Sequence, residues 1–414
     1  MKVMFIPWIQ ATHYYFMVPL AWAFRAAGDE VRVASQPGTA DAFKRSGMSV
    51  TVYDFRTEEK MLGDGRRGMA TIREISAATD SREYAQATDY LAQIRKRFLD
   101  HGFGPLVRIA QVMADEIVQL ARAWQPDLVI GDPIALAAPL AARAARAPLL
   151  HVPFGPAFQR TSGVFPCNGA SPDLWPDALL DLYARYDTEP AAEPAAATVD
   201  SCPASLQYAI PSRIQTRFVP YNGTGDVPRW LTEPPRRPRI CVTWGTSTTM
   251  MHGRESFLVP RILDALAAFD VEVVVAITAD DRPLLGNDLP ERVRVAEHLP
   301  LHLLLPSCDA IIHQGGASTM LTAASLGLPQ LLIAGGIDQM APAERLAASG
   351  AGVALRWADA SHEIITAGIK TILTDQATRH AAHTLRDEIH TQPAPAAIAA
   401  TLRQLTMAGH LTTT

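Results

Sequence analysis

Lysine and cysteine are scarce in this 414-residue chain: five of the 37 basic residues are lysines, and only four cysteines occur. Cys167, Cys202, Cys241 and Cys308 stand far apart and form no CxxC pair. A structural zinc site or redox couple is therefore not expected, and buried reduced thiols are. An excess of one charge is also missing. A net charge of −5 with 19% charged residues offers nothing to a polyanion, so no nucleic-acid partner is expected. Nor is there a long apolar run. The most membrane-like stretch, IALAAPLAARAARAPLL, is interrupted by Arg143 and Arg146 and is too short to span. The first residues, MKVMFIPWIQ, lack the apolar core of a secretory leader. The expectation is a cytoplasmic protein with no membrane partner.

Several chemical signatures are absent as well. No GxGxxG closes the first strand, which removes the dinucleotide fingerprint of hydride-transfer enzymes. No GxxxxGK[ST] phosphate loop occurs. GASTM around Ser318 fails as a nucleophile elbow at its last position. There is no DxD to hold a divalent metal on a diphosphate, and ADDRP at Asp280 and Asp281 reads as an exposed loop. No metal site is expected.

What remains is an apolar chain, 48% hydrophobic, long enough for two cores. Short strand-like runs (KVMFIP, EVRVAS, DLVIGD, LLHVPF) alternate with helical segments, and the pattern restarts at RICVTWG and continues through VEVVVAIT, VRVAEHL, DAIIHQ and QLLIA. Continuous apolar strands alternating with helices predict α/β architecture with parallel sheets covered on both faces. We expect two doubly wound domains facing a cleft. Residues 1–219 form the first and 239–390 the second, joined by the proline-rich linker 220–238. Residues 391–414 form a helix and tail able to cross back to the first domain. The Pro/Ala-rich stretch DTEPAAEPAAATVD, residues 187–200, reads as a mobile surface insert.

In such sheets ligands bind beyond the carboxyl ends of the strands. HQGGAST, His313 to Thr319, lies at one such end. Gly315 and Gly316 allow a tight turn, and the helix that follows presents free N–H groups and a positive dipole end. Ser318 and Thr319 add hydroxyls, and His313 is expected to add a ring N–H. Together they suit an anion, best a phosphate or diphosphate; a plain helix cap beside a buried histidine fits the residues equally well. Asp338 and Gln339, after LLIAGG, put a carboxylate and an amide at the same edge, suited to neighbouring sugar hydroxyls. Gly245, Thr246, Ser247 and Thr248 follow the first strand of the second domain and face the same rim. In the first domain His13 follows the first strand and Asp132 ends another. A histidine here can take a proton, with the aspartate orienting it. Trp8, Tyr14, Tyr15, Phe16 and Phe154 are candidates for an apolar acceptor pocket, or for core.

MVPLAWAFRAAGDEVRVAS, FVPYNGTGDVPRWL and HLPLHLLLPSCDAIIHQGGAST…GLPQLLIAGGIDQ resemble the family 1, GT-B glycosyltransferases of bacterial natural-product biosynthesis, from Met1 to about residue 405. The resemblance implies two Rossmann-like domains facing a central cleft. It implies metal-independent, inverting transfer of a deoxysugar from a dTDP-sugar to an apolar polyketide or macrolide aglycone, with no cofactor. It implies His13 as general base, Asp132 as its support, and His313 to Thr319 as the diphosphate site. Asp338 and Gln339 then hold the sugar, and His298, Leu299 and Pro300 hold the base largely through backbone. Gln314 and Ser318 stand where the family often has a second histidine and a glycine. The loops around residues 55–100 and 155–185 are expected to set acceptor choice. A homodimer and an auxiliary activator protein are compatible partners. The alternative functions are a nucleotide-sugar epimerase of the same fold and a non-catalytic accessory homologue.

Overall fold

The computed structural model describes residues 1–52, 103–286 and 288–411. The expected acceptor loop around residues 55–100 lies outside them.

Apolar runs buried on both faces, such as Leu128–Gly131 and Ala310–His313, belong in the middle of a layered stack. The first sheet contains β1 (Lys2–Ile6), β2 (Glu30–Ser35), β3 (Ser49–Val52), β4 (Leu128–Gly131), β5 (Leu149–His151), β6 (Ala197–Asp200) and β7 (Arg213–Gln215). Its order is β3-β2-β1-β4-β5-β6-β7, with every pairing parallel. The second contains β8 (Arg239–Thr243), β9 (Glu272–Ile277), β10 (Val293–Glu297), β11 (Ala310–His313), β12 (Gln330–Ala334) and β13 (Gly352–Arg356). Its order is β10-β9-β8-β11-β12-β13, again wholly parallel.

Each order reverses once, between β1 and β4 in the first sheet and between β8 and β11 in the second. A crevice opens at such a switch point, beyond the carboxyl ends of the two strands. Four segments are thereby fixed around one space. His13 follows β1 and Asp132 follows β4, while Gly245 follows β8 and His313 ends β11.

Two loop expectations fail in part. Residues 197–200 of the supposed surface insert form the buried strand β6. Asp200, at its end, is 1% exposed and holds Arg213 Nε of β7 at 2.7 Å. Asp281 is not exposed but buried, and its carboxylate accepts from Thr249 Oγ1 at 2.6 Å and Thr278 Oγ1 at 3.0 Å. The four cysteines are free and buried. Burial pushes the Cys167 and Cys308 thiols up to about 12.

The two halves of the chain touch through helices and loops. From the helix Ile337–Ala348, Arg345 donates to the carbonyls of Ser205 at 3.3 Å, Leu206 at 3.2 Å and Gln207 at 2.7 Å. The last helix, Pro395–Met407, lies on the helix Val18–Ala26. Arg403 there meets Asp29 Oδ1 at 2.5 Å. No helix among the described residues is long and apolar enough to cross a membrane.

Candidate active site

A cleft of about 670 Å³ lies where the two switch points face each other. One wall carries His13, Tyr15, Phe16, Arg45 and Phe154. The other carries the turn after β8, the first turn of the helix Ala317–Leu326, and Asp338 with Gln339.

His13 sits in the short helix Ala11–Tyr15 and is 8% exposed. Its Nδ1 lies 2.8 Å from Asp132 Oδ2. Asp132 is 1% exposed, and its second oxygen accepts from the Ile134 amide at 2.9 Å. The carboxylate is thus pinned from both sides. The imidazole is also held by Phe154, whose ring centroid is 3.8 Å away at an interplanar angle of 30°. With Nδ1 committed to Asp132, Nε2 is the nitrogen left for a ligand. Among the other aromatic candidates, Tyr15, Phe16 and Phe154 line the cleft, whereas Trp8 and Tyr14 are buried in core clusters away from it.

Across the cleft, Gly315 adopts φ +96°, a conformation that L side chains avoid. Gly316 is extended and caps the helix Ala317–Leu326. The first intrahelical bond runs from Met320 N to Gly316 O at 2.9 Å, so the amides of residues 317–319 point into the opening. Thr319 and Ser318 line the same opening.

His313 does not join them. It is fully buried, Gly315 N–H donates to its Nδ1 at 3.1 Å, and Nε2 lies 3.0 Å from Gln330 Oε1. Accepting at Nδ1 fixes the proton on Nε2, which therefore donates to Gln330 and not to a ligand. The expected ring N–H for the anion is corrected to a brace beneath the glycine turn.

Burial lowers the His313 pKa from its ordinary 6.5 to about 4 and that of His151, at the end of β5, to about 3. Both imidazoles are neutral in the fold and protonate first in the unfolded chain. Their contribution is complete above pH 6.5 and is lost as pH falls toward about 4 for His313 and about 3 for His151, at about 1.4 kcal/mol per unit for each ring. The melting temperature should therefore drop steadily below pH 6.5 in thermal unfolding. A profile flat from pH 7 to 4.5 would mean that both rings are solvated.

Asp338 is exposed in the cleft. Gln339 is buried, and its Oε1 accepts from the Gly335 and Gly336 amides, each at 3.2 Å. The amide therefore caps its own helix, and only its NH₂ remains for a ligand. His298 takes φ +57°, with its amide bonded to Ile277 O at 3.2 Å. It lines the cleft with Leu299, Pro300, Gly245, Thr246, Ser247 and Thr248.

The linker contributes residues that sequence reasoning missed. Asn222 Oδ1 accepts from the His302 amide at 3.0 Å, and its Nδ2 donates to Ser318 Oγ at 3.3 Å and Thr322 Oγ1 at 3.2 Å. Neighbouring Tyr221 packs edge-on against Tyr15 and Trp22 of the first domain, with ring centroids 5.1 and 5.2 Å away. The only sequence signal was a polar residue beside two glycines, in YNGTG. Gln314, of the HQGGAST motif, also lines the cleft, and so does Arg45, which the sequence did not single out. No group of three or more His, Cys, Asp or Glu side chains suited to a metal occurs among the described residues.

Comparison with known proteins places the chain in a family. Two family models match: the N-terminal domain of erythromycin biosynthesis protein CIII-like proteins over residues 22–245, and their C-terminal domain over residues 260–405. The 10-deoxymethynolide desosaminyltransferase of Streptomyces venezuelae is 35% identical, covering 98% of this chain and 97% of its own. The aklavinone 7-beta-L-rhodosaminyltransferase of Streptomyces galilaeus is 34% identical, covering 98% and 96%. Among solved structures, the spinosyn rhamnosyltransferase SpnG complexed with spinosyn aglycone superposes with a TM-score of 0.76. It is 30% identical over 97% of this chain and 100% of that one. The same enzyme complexed with thymidine diphosphate gives a TM-score of 0.74, at the same identity and coverage. The chain belongs to the erythromycin biosynthesis protein CIII-like family of bacterial natural-product glycosyltransferases, enzymes of the GT-B fold.

Proposed function

We propose that this glycosyltransferase moves a deoxysugar from a dTDP-sugar to an apolar polyketide or macrolide aglycone, by direct displacement with inversion and without a metal. The observation that carries the reading is the placement of the His13–Asp132 pair, 2.8 Å apart, in the same cleft as the amino end of the helix Ala317–Leu326. His13 Nε2 removes the proton from an acceptor hydroxyl as that oxygen attacks the anomeric carbon. The diphosphate leaves on the opposite face, toward the amides of residues 317–319 and the hydroxyls of Ser318 and Thr319. Charge building on the leaving group is met by fixed dipoles that need no reorganisation. An α-linked donor would give a β-linked product. The dTDP donor is supported by the thymidine diphosphate complex of SpnG, and the aglycone class by the desosaminyl, rhodosaminyl and spinosyn relatives.

A nucleotide-sugar epimerase needs acid–base carboxylates around the sugar. The described lining holds a single acid, Asp338, beside an aromatic acceptor wall, which favours transfer. Calorimetric titration with dTDP in the presence of EDTA tests the reading. Binding undiminished by the chelator is expected. No heat with dTDP or UDP would sink it and favour an accessory homologue.

A further inference from the structure

The cleft carries almost no fixed charge of its own. Among its described lining residues Arg45 is the sole lysine or arginine, and Asp338 the sole carboxylate. The wall that faces a diphosphate offers neutral groups, backbone amides and hydroxyls, above a His313 ring that burial keeps uncharged. The amino end of the helix Ala317–Leu326 is worth about half an elementary charge. The diphosphate of a dTDP-sugar is a dianion, and Asp338 adds to the deficit. Dipoles alone therefore leave most of the ligand's charge uncompensated.

Arg45 stands on the opposite wall, at the end of the helix Pro37–Arg45. That end is fastened to the first domain. Ser46 Oγ lies 2.7 Å from the Tyr14 hydroxyl and donates to Phe43 O at 2.6 Å, and Trp22 Nε1 donates to Ser46 O at 2.8 Å. The side chain itself is exposed, and among the described residues its guanidinium makes no hydrogen bond or ion pair. Asp41, one turn earlier, pairs with Lys44 instead, at 3.6 Å. Ala42 also lines the cleft, so this face of the helix borders the ligand space. Burial raises the Tyr15 and Tyr221 phenols and the charge of Arg45 partly offsets it, which puts the guanidinium within electrostatic reach of both rings. Asn222, next to Tyr221, donates to Ser318 Oγ in the first turn of the phosphate-facing helix. Arg45 thus faces the linker that leads to the anion site. A cation needed only for the dipole of its own helix is already present in Lys44, and an apolar aglycone brings no charge to pair with.

We propose that Arg45 is a donor-binding residue of the acceptor domain, whose guanidinium pairs across the cleft with the diphosphate of the nucleotide sugar. The inference rests on the dTDP-sugar reading above and adds a residue outside the HQGGAST turn. A planar guanidinium holds two phosphate oxygens at once. As the bond from the anomeric carbon breaks, its electron pair goes to the diphosphate, so the pairing strengthens during transfer.

The test measures the dissociation constant of dTDP by calorimetry at low and high ionic strength, for the parent protein, Arg45→Met, Arg45→Lys and Lys44→Met. Melting temperatures confirm that each variant is folded. Arg45→Met should weaken dTDP about tenfold at low salt and make its affinity less sensitive to salt. Arg45→Lys should recover part of the loss, because it keeps the charge but not the planar fork. Lys44→Met removes a charge from the same helical turn, outside the cleft lining, and should stay within about twofold of the parent. Unchanged dTDP affinity in Arg45→Met, or an equal loss in Lys44→Met, overturns the proposal. Unchanged dTDP affinity with a raised KM for the aglycone also overturns it and gives the guanidinium to the acceptor. A parent protein that binds no dTDP overturns the donor reading itself, so the two failures are told apart.

Discussion

Replacing His13 with alanine should lower the rate of sugar transfer about 10²–10⁴-fold while leaving dTDP affinity close to that of the parent. The asymmetry follows from where the side chain sits. His13 lies on the first-domain wall, held by Asp132 and Phe154, and none of the phosphate-facing amides belongs to its sheet. Asp132→Asn should be nearly as damaging, for a different reason. The Asp132 oxygen that accepts from the Ile134 amide keeps its place as the asparagine Oδ1, so the new NH₂ faces His13. An NH₂ can only donate, which makes Nδ1 an acceptor and moves the ring proton to Nε2. A proton on the substrate-facing nitrogen leaves no base there. Turnover at saturating donor, with an aglycone that the parent accepts, reads both effects. A His13→Ala enzyme with half the parent rate would end the base assignment. An Asp132→Asn enzyme with full rate would show that the carboxylate only packs.

Much of this arrangement is legible in the residues themselves, and the exceptions share a cause. β1 and β4 announce themselves because strands buried on both faces must be largely apolar. The site followed because ligand positions in doubly wound sheets depend on strand ends, and strand ends are visible. β6 was hidden because Ala197–Asp200 follows a Pro/Ala-rich stretch and is secured by Asp200 and Arg213, thirteen residues apart. The His313 ring was misread for the same reason. Its partner Gln330 is one strand further along the sheet, and nothing local distinguishes a ring that serves a ligand from one that serves the backbone. Asp281 looked exposed because its partners Thr249 and Thr278 lie elsewhere along the chain or in its own turn. Composition and periodicity report on burial; they say little about which polar atom answers which.

His313→Ala should cost dTDP affinity and transfer rate together, by about 10²–10³-fold in rate, and should lower the melting temperature as well. Were His313 a direct donor to the diphosphate, its removal would weaken the ligand and spare the fold. The structure requires more. The ring accepts the Gly315 amide and donates to Gln330, whose Nε2 in turn bonds Met320 O within the helix Ala317–Leu326 at 3.1 Å. Alanine leaves two polar groups, the Gly315 amide and Gln330 Oε1, short of a partner in a buried space and frees the turn that aims the helix amides at the ligand. His313→Asn separates the two roles. Its Oδ1 can accept from the Gly315 amide, as Nδ1 does, while the shorter side chain cannot reproduce the full span to Gln330. The asparagine variant should therefore regain much of the dTDP affinity while remaining less stable than the parent. If asparagine and alanine lose affinity equally while both melt with the parent protein, the imidazole contacts the ligand directly. The glycine turn would then stand without its brace.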